Sequence, residues 1–166
     1  LYFKSSWIDS RAEVYGEFYY NDAKSNLRDL ILDSDHSRAV TLGFNKFFLI
    51  NNSDFIFSWE WTQLEQTAGR LLRNARSWYE HNFVYDGYTN NGEVIGAKIG
   101  PGSNSHFFSV KKFDGENMLG LSLEIVDNDN DFYHEAFESA KDYRRYWKDF
   151  NFNFNFSKNF KKFILF

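Results

Sequence analysis

Asp149-Phe150-Asn151-Phe152-Asn153-Phe154-Asn155-Phe156-Ser157 is the stretch whose reading decides the fold class. Its period is two. Phe150, Phe152, Phe154 and Phe156 fall on one side, and Asn151, Asn153, Asn155 and Ser157 on the other. Side chains alternate across a strand but share a helix face only every third or fourth residue. The stretch therefore reads as a β-strand with one aromatic and one polar face.

The same alternation recurs outward from it. Residues 11–22 place Ala12, Val14, Gly16, Phe18 and Tyr20 opposite Glu13, Tyr15, Glu17 and Tyr19. Residues 37–45 set Val40, Leu42 and Phe44 against Ala39, Thr41, Gly43 and Asn45. Residues 54–62 set Phe55, Phe57, Trp59 and Trp61 against Ile56, Ser58, Glu60 and Thr62. Residues 117–125 set Leu119, Leu121, Leu123 and Ile125 against Met118, Gly120, Ser122 and Glu124. Weaker alternation covers 1–8, 75–85, 106–113 and 159–166, for eight or nine strands in all. Asn51-Asn52-Ser53-Asp54 and Asp114-Gly115-Glu116-Asn117 carry residues that tolerate positive φ and read as tight hairpin turns. Longer connections fall near 22–36, 86–104 and 127–144.

Composition agrees with this pattern. Aromatic residues make up 21% of the 166 residues, with 20 Phe, 10 Tyr and 5 Trp, and such residues favour strands. The net charge of −4 is spread without a basic block, so nothing points to nucleic acid. The absence of cysteine removes disulfides, thiolate metal sites and cysteine nucleophiles. Mean hydropathy is −0.56 and no apolar run approaches the length of a membrane-spanning helix. A transmembrane barrel needs no such run, because only alternate residues face lipid. Alternation over about 9–12 residues is the length that crosses a bilayer when tilted. The polar faces are Asn, Ser, Thr, Glu and Gly, which suits a wet lumen. The expected fold is thus all-β, an antiparallel transmembrane β-barrel of outer-membrane type, with a soluble β-sandwich that binds carbohydrate as the alternative.

Four stretches stand out together. They are Glu13-Val14-Tyr15-Gly16-Glu17-Phe18 with Asn21-Asp22, then Asp35-His36-Ser37-Arg38-Ala39-Val40-Thr41-Leu42-Gly43. Further on come Ile95-Gly96-Ala97-Lys98-Ile99-Gly100-Pro101-Gly102-Ser103 and Tyr143-Arg144-Arg145-Tyr146-Trp147-Lys148-Asp149. In order and spacing they resemble the capsule assembly Wzi family of outer-membrane barrels, over most of the chain from about residue 10, and fit the C-terminal part of such a protein. The resemblance implies an outer-membrane location and a large barrel with a small helical N-terminal part. The implied role is surface attachment or assembly of capsular polysaccharide, with lectin-like binding. A family barrel has about twice the strands found here, so residues 1–166 are expected to be a single barrel domain or the C-terminal portion, about half, of a larger one. The start inside a strand at Leu1 points to a fragment, and Phe166 reads either as the terminal aromatic typical of bacterial barrels, with the missing strands upstream, or as the place where a fragment simply stops. The expected partners are capsular or surface polysaccharide and outer-membrane lipid, with no cofactor and no metal.

Candidate sugar-binding residues are Glu13, Tyr15, Glu17, Tyr19, Glu60 and Glu124, since aromatic faces stack on sugar rings and carboxylates accept hydroxyl hydrogen bonds. The plainer reading is a lumenal charge ladder paired with Arg11, Arg38 or Arg76, beside cross-strand aromatic packing. Glu13 and Glu17 stand roughly 13 Å apart on one strand face, too far for a glycosidase pair. A catalytic pair would need Glu60 or Glu124 in a favourable register, so the expectation is a non-enzymatic protein, with a membrane enzyme or a pore as rivals. The Gly-rich segment 95–103 lacks the phosphate-loop pattern and reads as a shaped loop at the mouth or in the lumen. Asp127, Asp129, Asp131 and Glu138 match part of a calcium-loop spacing, but Phe132 stands where that loop needs glycine. A solvated loop leading into a helix over 133–142 is the plainer expectation. His36, His81, His106 and His134 form no metal-spaced pair.

Overall fold

The structure, a computed structural model, describes residues 1–20, 26–32, 36–66, 77–81, 83–137, 139, 142–160 and 164–165. Asn21, Asp22, Asp35, Ala75, Arg76, Glu138 and Phe166 lie outside the described residues, as do 161–163 of the expected last strand. In chain order the elements are β1 (Tyr2–Trp7), β2 (Ala12–Tyr20), the short helix α1 (Leu27–Leu32), β3 (Arg38–Ile50) and β4 (Ser53–Gln63). A small hairpin follows, β5 (Thr89–Asn90) with β6 (Glu93–Val94), then β7 (Asn104–Asp114) and β8 (Asn117–Asn128). Helix α2 (Asn130–Ala136), a 3-10 turn (Tyr143–Arg145), β9 (Trp147–Asn159) and β10 (Ile164–Leu165) complete the chain.

Eight strands form one antiparallel sheet in the order β1-β2-β3-β4-β7-β8-β9-β10. Every neighbour in the sheet is also the next long strand in sequence, so the sheet is a meander. The order does not close on itself: β1 and β10 are its two ends, and the chain forms an open antiparallel sheet and not a closed barrel.

The turns fall on one side. Asn51 and Asn52 join β3 to β4 with φ of 47° and 65°, the pattern of a type I′ turn between paired Ile50 and Ser53. Gly115 opens the β7–β8 turn with φ 59°, a conformation glycine adopts without a Cβ penalty. Residues 8–11 make the β1–β2 turn on the same side. The opposite side carries the long connections 21–37, 64–103 and 129–146. Tight turns at one end and long loops at the other are the layout of outer-membrane barrels.

The register lines up the two face chemistries across the sheet. On one face, Phe44, Trp59, Phe108, Leu123 and Phe152 form one row, and Phe57, Val110, Leu121 and Phe154 another. This apolar face is open: Phe152 is 77% exposed and Phe154 65%. On the other face Ser105, Ser109, Thr62 and Glu124 are buried, Ser109 to 4% and Glu124 to 7%. An ordinary globular sheet does the reverse. Among the described residues, no second sheet covers the apolar face, as the sandwich alternative would require.

Polar residues bound the apolar band. Gln63, Asn104, Asp127 and Lys148 form a row at the loop side, and Asp114 faces Asn117 at the turn side. Ten residues separate Asn117 from Asp127. At about 3.3 Å per residue and a tilt near 40°, that gives a band about 25 Å tall, the height of the lipid-facing belt of a barrel. Lys46 and Lys112 both stand within the band, Lys112 in the row of Phe55, Leu119 and Phe156 near the turn side, and the Lys46 ammonium reaches the Ser10 carbonyl in the β1–β2 turn.

Several strands run longer than alternation indicates. β3 continues to Ile50 because Phe47, Phe48, Leu49 and Ile50 are apolar on both faces near the turn, which hides the period without ending the ladder. The expected strand at 75–85 is not one. Its described residues form an irregular arch in which Tyr79 takes φ 71°, outside the β region. The helix expected over 133–142 is displaced: α2 starts at Asn130, capped by the Asp129 carboxylate accepting from Phe132 N at 3.2 Å, and is complete by Ala136.

Candidate functional site

The buried polar face is the place where chemistry-bearing side chains converge, and the register fixes how. One row reads Lys4, Tyr15, Gly43, Glu60, Phe107, Glu124, Asn151 across seven strands. A second reads Ser6, Glu13, Asn45, Ser58, Ser109, Ser122, Asn153. A third reads Tyr2, Glu17, Thr41, Thr62, Ser105, Val126, Asp149. Glu13, Tyr15, Glu17, Tyr19, Glu60 and Glu124 therefore all stand on one face. Tyr15, Glu60 and Glu124 share a row, Glu13 and Glu17 flank it, and Tyr19 lies beyond at the loop-side rim.

Tyr15 is joined to Glu60 two strands away, its hydroxyl donating to Glu60 Oε2 at 2.5 Å. Gly43 makes that reach possible. It lies between them in the row, and a Cβ there would overlap the Tyr15 ring. On the apolar face the Phe3 ring covers Gly16 in the same manner. An aromatic ring laid over a cross-strand glycine fills the missing side chain's space and pins the register.

The other carboxylates are also engaged. Glu13 pairs with Lys4 Nζ at 2.8 Å and accepts from Asn45 Nδ2 and Ser6 Oγ, each at 3.3 Å. Tyr19 donates to Glu17 at 2.8 Å. Glu124 pairs with Lys98 Nζ at 2.8 Å. Among the described residues, Glu13 and Glu124 thus pair with lysines, and Arg76 of the expected ladder lies outside the described residues. Arg38 belongs to the apolar-face series of Val40 and Leu42, so it cannot reach the carboxylates from its strand position.

Lys98 comes from the long β4–β7 connection, which lies over the polar face at its loop-side end. Leu64 N donates to Ser103 O at 2.9 Å, closing the neck of this connection. Trp78 Nε1 donates to the Arg38 carbonyl at 3.0 Å. Tyr79 Oη accepts from Ala97 N at 3.0 Å, and its ring sits against Gly96 where a side chain would clash. The Gly-rich segment 95–103 is therefore a shaped loop that carries Lys98 onto the sheet. Composition shows its glycines, but Lys98 itself carries no local signal in the sequence.

The three aspartates of the calcium-like spacing diverge. Asp127 pairs with Lys148 at 2.8 Å, its register partner in β9. Asp129 caps α2. Asp131 accepts from Gln66 N at 2.8 Å and from the Ser77 hydroxyl, tying α2 to the β4–β7 connection. Burial raises the Asp129 and Asp131 carboxyls above their ordinary range. Among the described residues, no group of three metal-ligating side chains is present. Nearby, Glu65 accepts from Asn130 Nδ2 at 3.0 Å and from Asn104 Nδ2, and lies 3.2 Å from His134 Nε2. Donors thus surround Glu65, the opposite of what a cation site needs. His36 is buried beside Ser37, and His106 stacks between Trp61 and Phe108 on the apolar face.

These features define a class: an all-β antiparallel protein whose sheet buries a polar, carboxylate-bearing face and exposes an apolar one. No helix among the described residues is long and apolar enough to cross a membrane. A family model for the capsule assembly protein Wzi matches residues 1–161, nearly the whole chain. The chain belongs to the Wzi capsule assembly family. Neither a curated protein nor a solved structure matches it.

Proposed function

We propose that this chain is about half of an outer-membrane β-barrel whose polar face binds and organises capsular polysaccharide at the cell surface, without catalysing its chemistry. The observation that carries the reading is the inverted burial of the sheet. Phenylalanines and leucines look outward, while Ser, Thr and Glu are covered, the chemistry of a lipid-facing wall around a wet lumen. Within that lumen Glu13, Tyr15, Glu17, Tyr19, Glu60 and Glu124 offer hydroxyl acceptors and ring faces to a sugar chain. Remaining strands of the barrel would pair with the edges at β1 and β10, which otherwise present unpaired backbone groups.

The carboxylate geometry favours binding over hydrolysis. Glu60 and Glu124 stand two strands apart, with Phe107 between them in the row. Each is already engaged, Glu60 by Tyr15 and Glu124 by Lys98. Weak contacts repeated along a polymer suffice for retention.

The test is binding of capsular polysaccharide to the whole protein in detergent, wild type against the double variant Glu60→Gln/Glu124→Gln. The expected result is binding weakened by about tenfold, the loss of two charge-assisted acceptors. Unchanged binding by the variant would remove these carboxylates from the site.

A further inference from the structure

The apolar face of the sheet is not level. Val110 and Leu121 stand side by side between Phe57 and Phe154 in one row, and both are shorter than those rings. The row therefore dips between β4 and β9. A groove of about 370 Å³ occupies the dip, lined by Phe108, Val110, Leu121, Leu123, Phe152 and Phe154. It is open: Leu121 is 59% exposed and Val110 43%. An unfilled groove forfeits dispersion contacts along its lining, and a flexible hydrocarbon chain restores them.

Lys112 stands at the turn-side end of this groove. It follows Val110 by two residues on the same strand face, about 7 Å along β7, and it pairs with Leu119 as Val110 pairs with Leu121. It is half-buried in the row of Phe55, Leu119 and Phe156. A charge at this place in an apolar wall extends its ammonium toward a polar partner at the membrane surface. Lys158 lies on the same face beyond Phe156, near the end of β9, with its ammonium over the Phe160 ring at 5.1 Å. The nearby carboxylates are those of Asp114, two residues beyond Lys112, and Glu116, which accepts from Asn159 Nδ2. Among the described residues, neither lysine is ion-paired with them. Lys161, Lys162 and Phe163 lie outside the described residues and bring no carboxylate.

Groove and lysines together specify an amphiphile, a hydrocarbon chain that carries an anion at its turn-side end. Outer-membrane barrels set their tight turns on the periplasmic side, so the leaflet at Lys112 is the one built of phospholipid. An anionic headgroup gains from each lysine near the membrane surface, and a zwitterionic one gains less.

We propose that the wall formed by β7, β8 and β9 holds a glycerophospholipid site, with one acyl chain in the Val110–Leu121 groove and the phosphate of an anionic headgroup on Lys112 and Lys158. It rests on the reading that the apolar face meets lipid, and it is independent of what the polar face binds. The site fixes the depth of the wall in the periplasmic leaflet.

The test uses the whole protein in detergent, stripped of lipid and titrated with dioleoyl phosphatidylglycerol or dioleoyl phosphatidylcholine. Retained lipid is counted by native mass spectrometry. The variants are Lys112→Gln/Lys158→Gln at the headgroup and Val110→Phe/Leu121→Phe, which fills the groove. Heat-modifiable gel migration confirms folding of each. The expected result is one phosphatidylglycerol retained per protein, about tenfold tighter than phosphatidylcholine. The lysine variant is expected to lose that preference, and the phenylalanine variant to lose the retained lipid of either kind. Equal retention of the two lipids by the wild type, retention of neither, or indifference to either variant would each overturn the site. Maleimide labelling of single cysteines at positions 152 to 155 in the membrane-inserted protein separates this failure from that of the barrel. Alternating labelling without a retained lipid sinks the site alone, and equal labelling at all four positions sinks both.

Discussion

A single methyl group at Gly43 would overlap the Tyr15 ring, and that ring spans Gly43 to reach Glu60. Gly43→Ala therefore displaces Tyr15 and breaks its hydrogen bond. The expected cost is about 1–3 kcal/mol, as for other overpacked positions. It would be read as a lowered temperature of the heat-modifiable gel transition. Tyr15→Phe keeps the ring over Gly43 and removes only the hydroxyl, for about 1 kcal/mol. Because both changes act through one contact, Gly43→Ala/Tyr15→Ala should cost less than the sum of its single variants. Additive effects would show that the ring does not rest on Gly43. Glycine within a strand is a visible mark of close approach. The identity of the ring that approaches is not visible, because it depends on the β2–β3 register.

At the scale of elements, the tight turns and the connections at 21–37 and 129–146 were legible, and the full extent of the β4–β7 connection was not. Asn51-Asn52 announces its turn because asparagine tolerates the left-handed region. Asn51→Val and Asn52→Val, β-branched at φ 47° and 65°, should each destabilise the β3–β4 hairpin by about 1–2 kcal/mol, measured by amide exchange across Ile50 and Ser53. By contrast, Trp78 and Tyr79 alternate well enough with their neighbours to suggest a strand at 75–85. Their side chains are committed instead to the Arg38 carbonyl and to Gly96 and Ala97, contacts that no local period encodes.

Asp131 docks α2 on that connection, and its pH dependence has a definite sign. Burial raises its folded-state carboxyl above the ordinary 3.8. The folded state thus holds the proton more tightly than the unfolded one. The resulting stabilisation is fully present below about pH 4 and fades as pH rises through the raised value. Gln66 amide exchange should therefore quicken from pH 4 toward neutral by more than the intrinsic rate, and Asp131→Asn should flatten the excess. An excess that persists in Asp131→Asn would place its origin elsewhere.

For the whole molecule, alternation foretold the two faces, and the structure adds which of them is covered. Phe150, Phe152, Phe154 and Phe156 stay exposed although the chain has rings and leucines enough to build an apolar core. Closure was beyond reach of the sequence pattern. Alternation assigns residues to faces but says nothing of which edge strands meet, and the order ends at β1 and β10. In the proposed barrel the apolar face meets lipid and the polar face meets water. The chain has no cysteine, so single cysteines can be placed one at a time at Phe152, Asn153, Phe154 and Asn155 in the membrane-inserted whole protein. Labelling with a water-soluble maleimide should alternate, fast at 153 and 155 and slow at 152 and 154. Equal labelling at all four positions, or the opposite alternation, would contradict a lipid-facing phenylalanine wall.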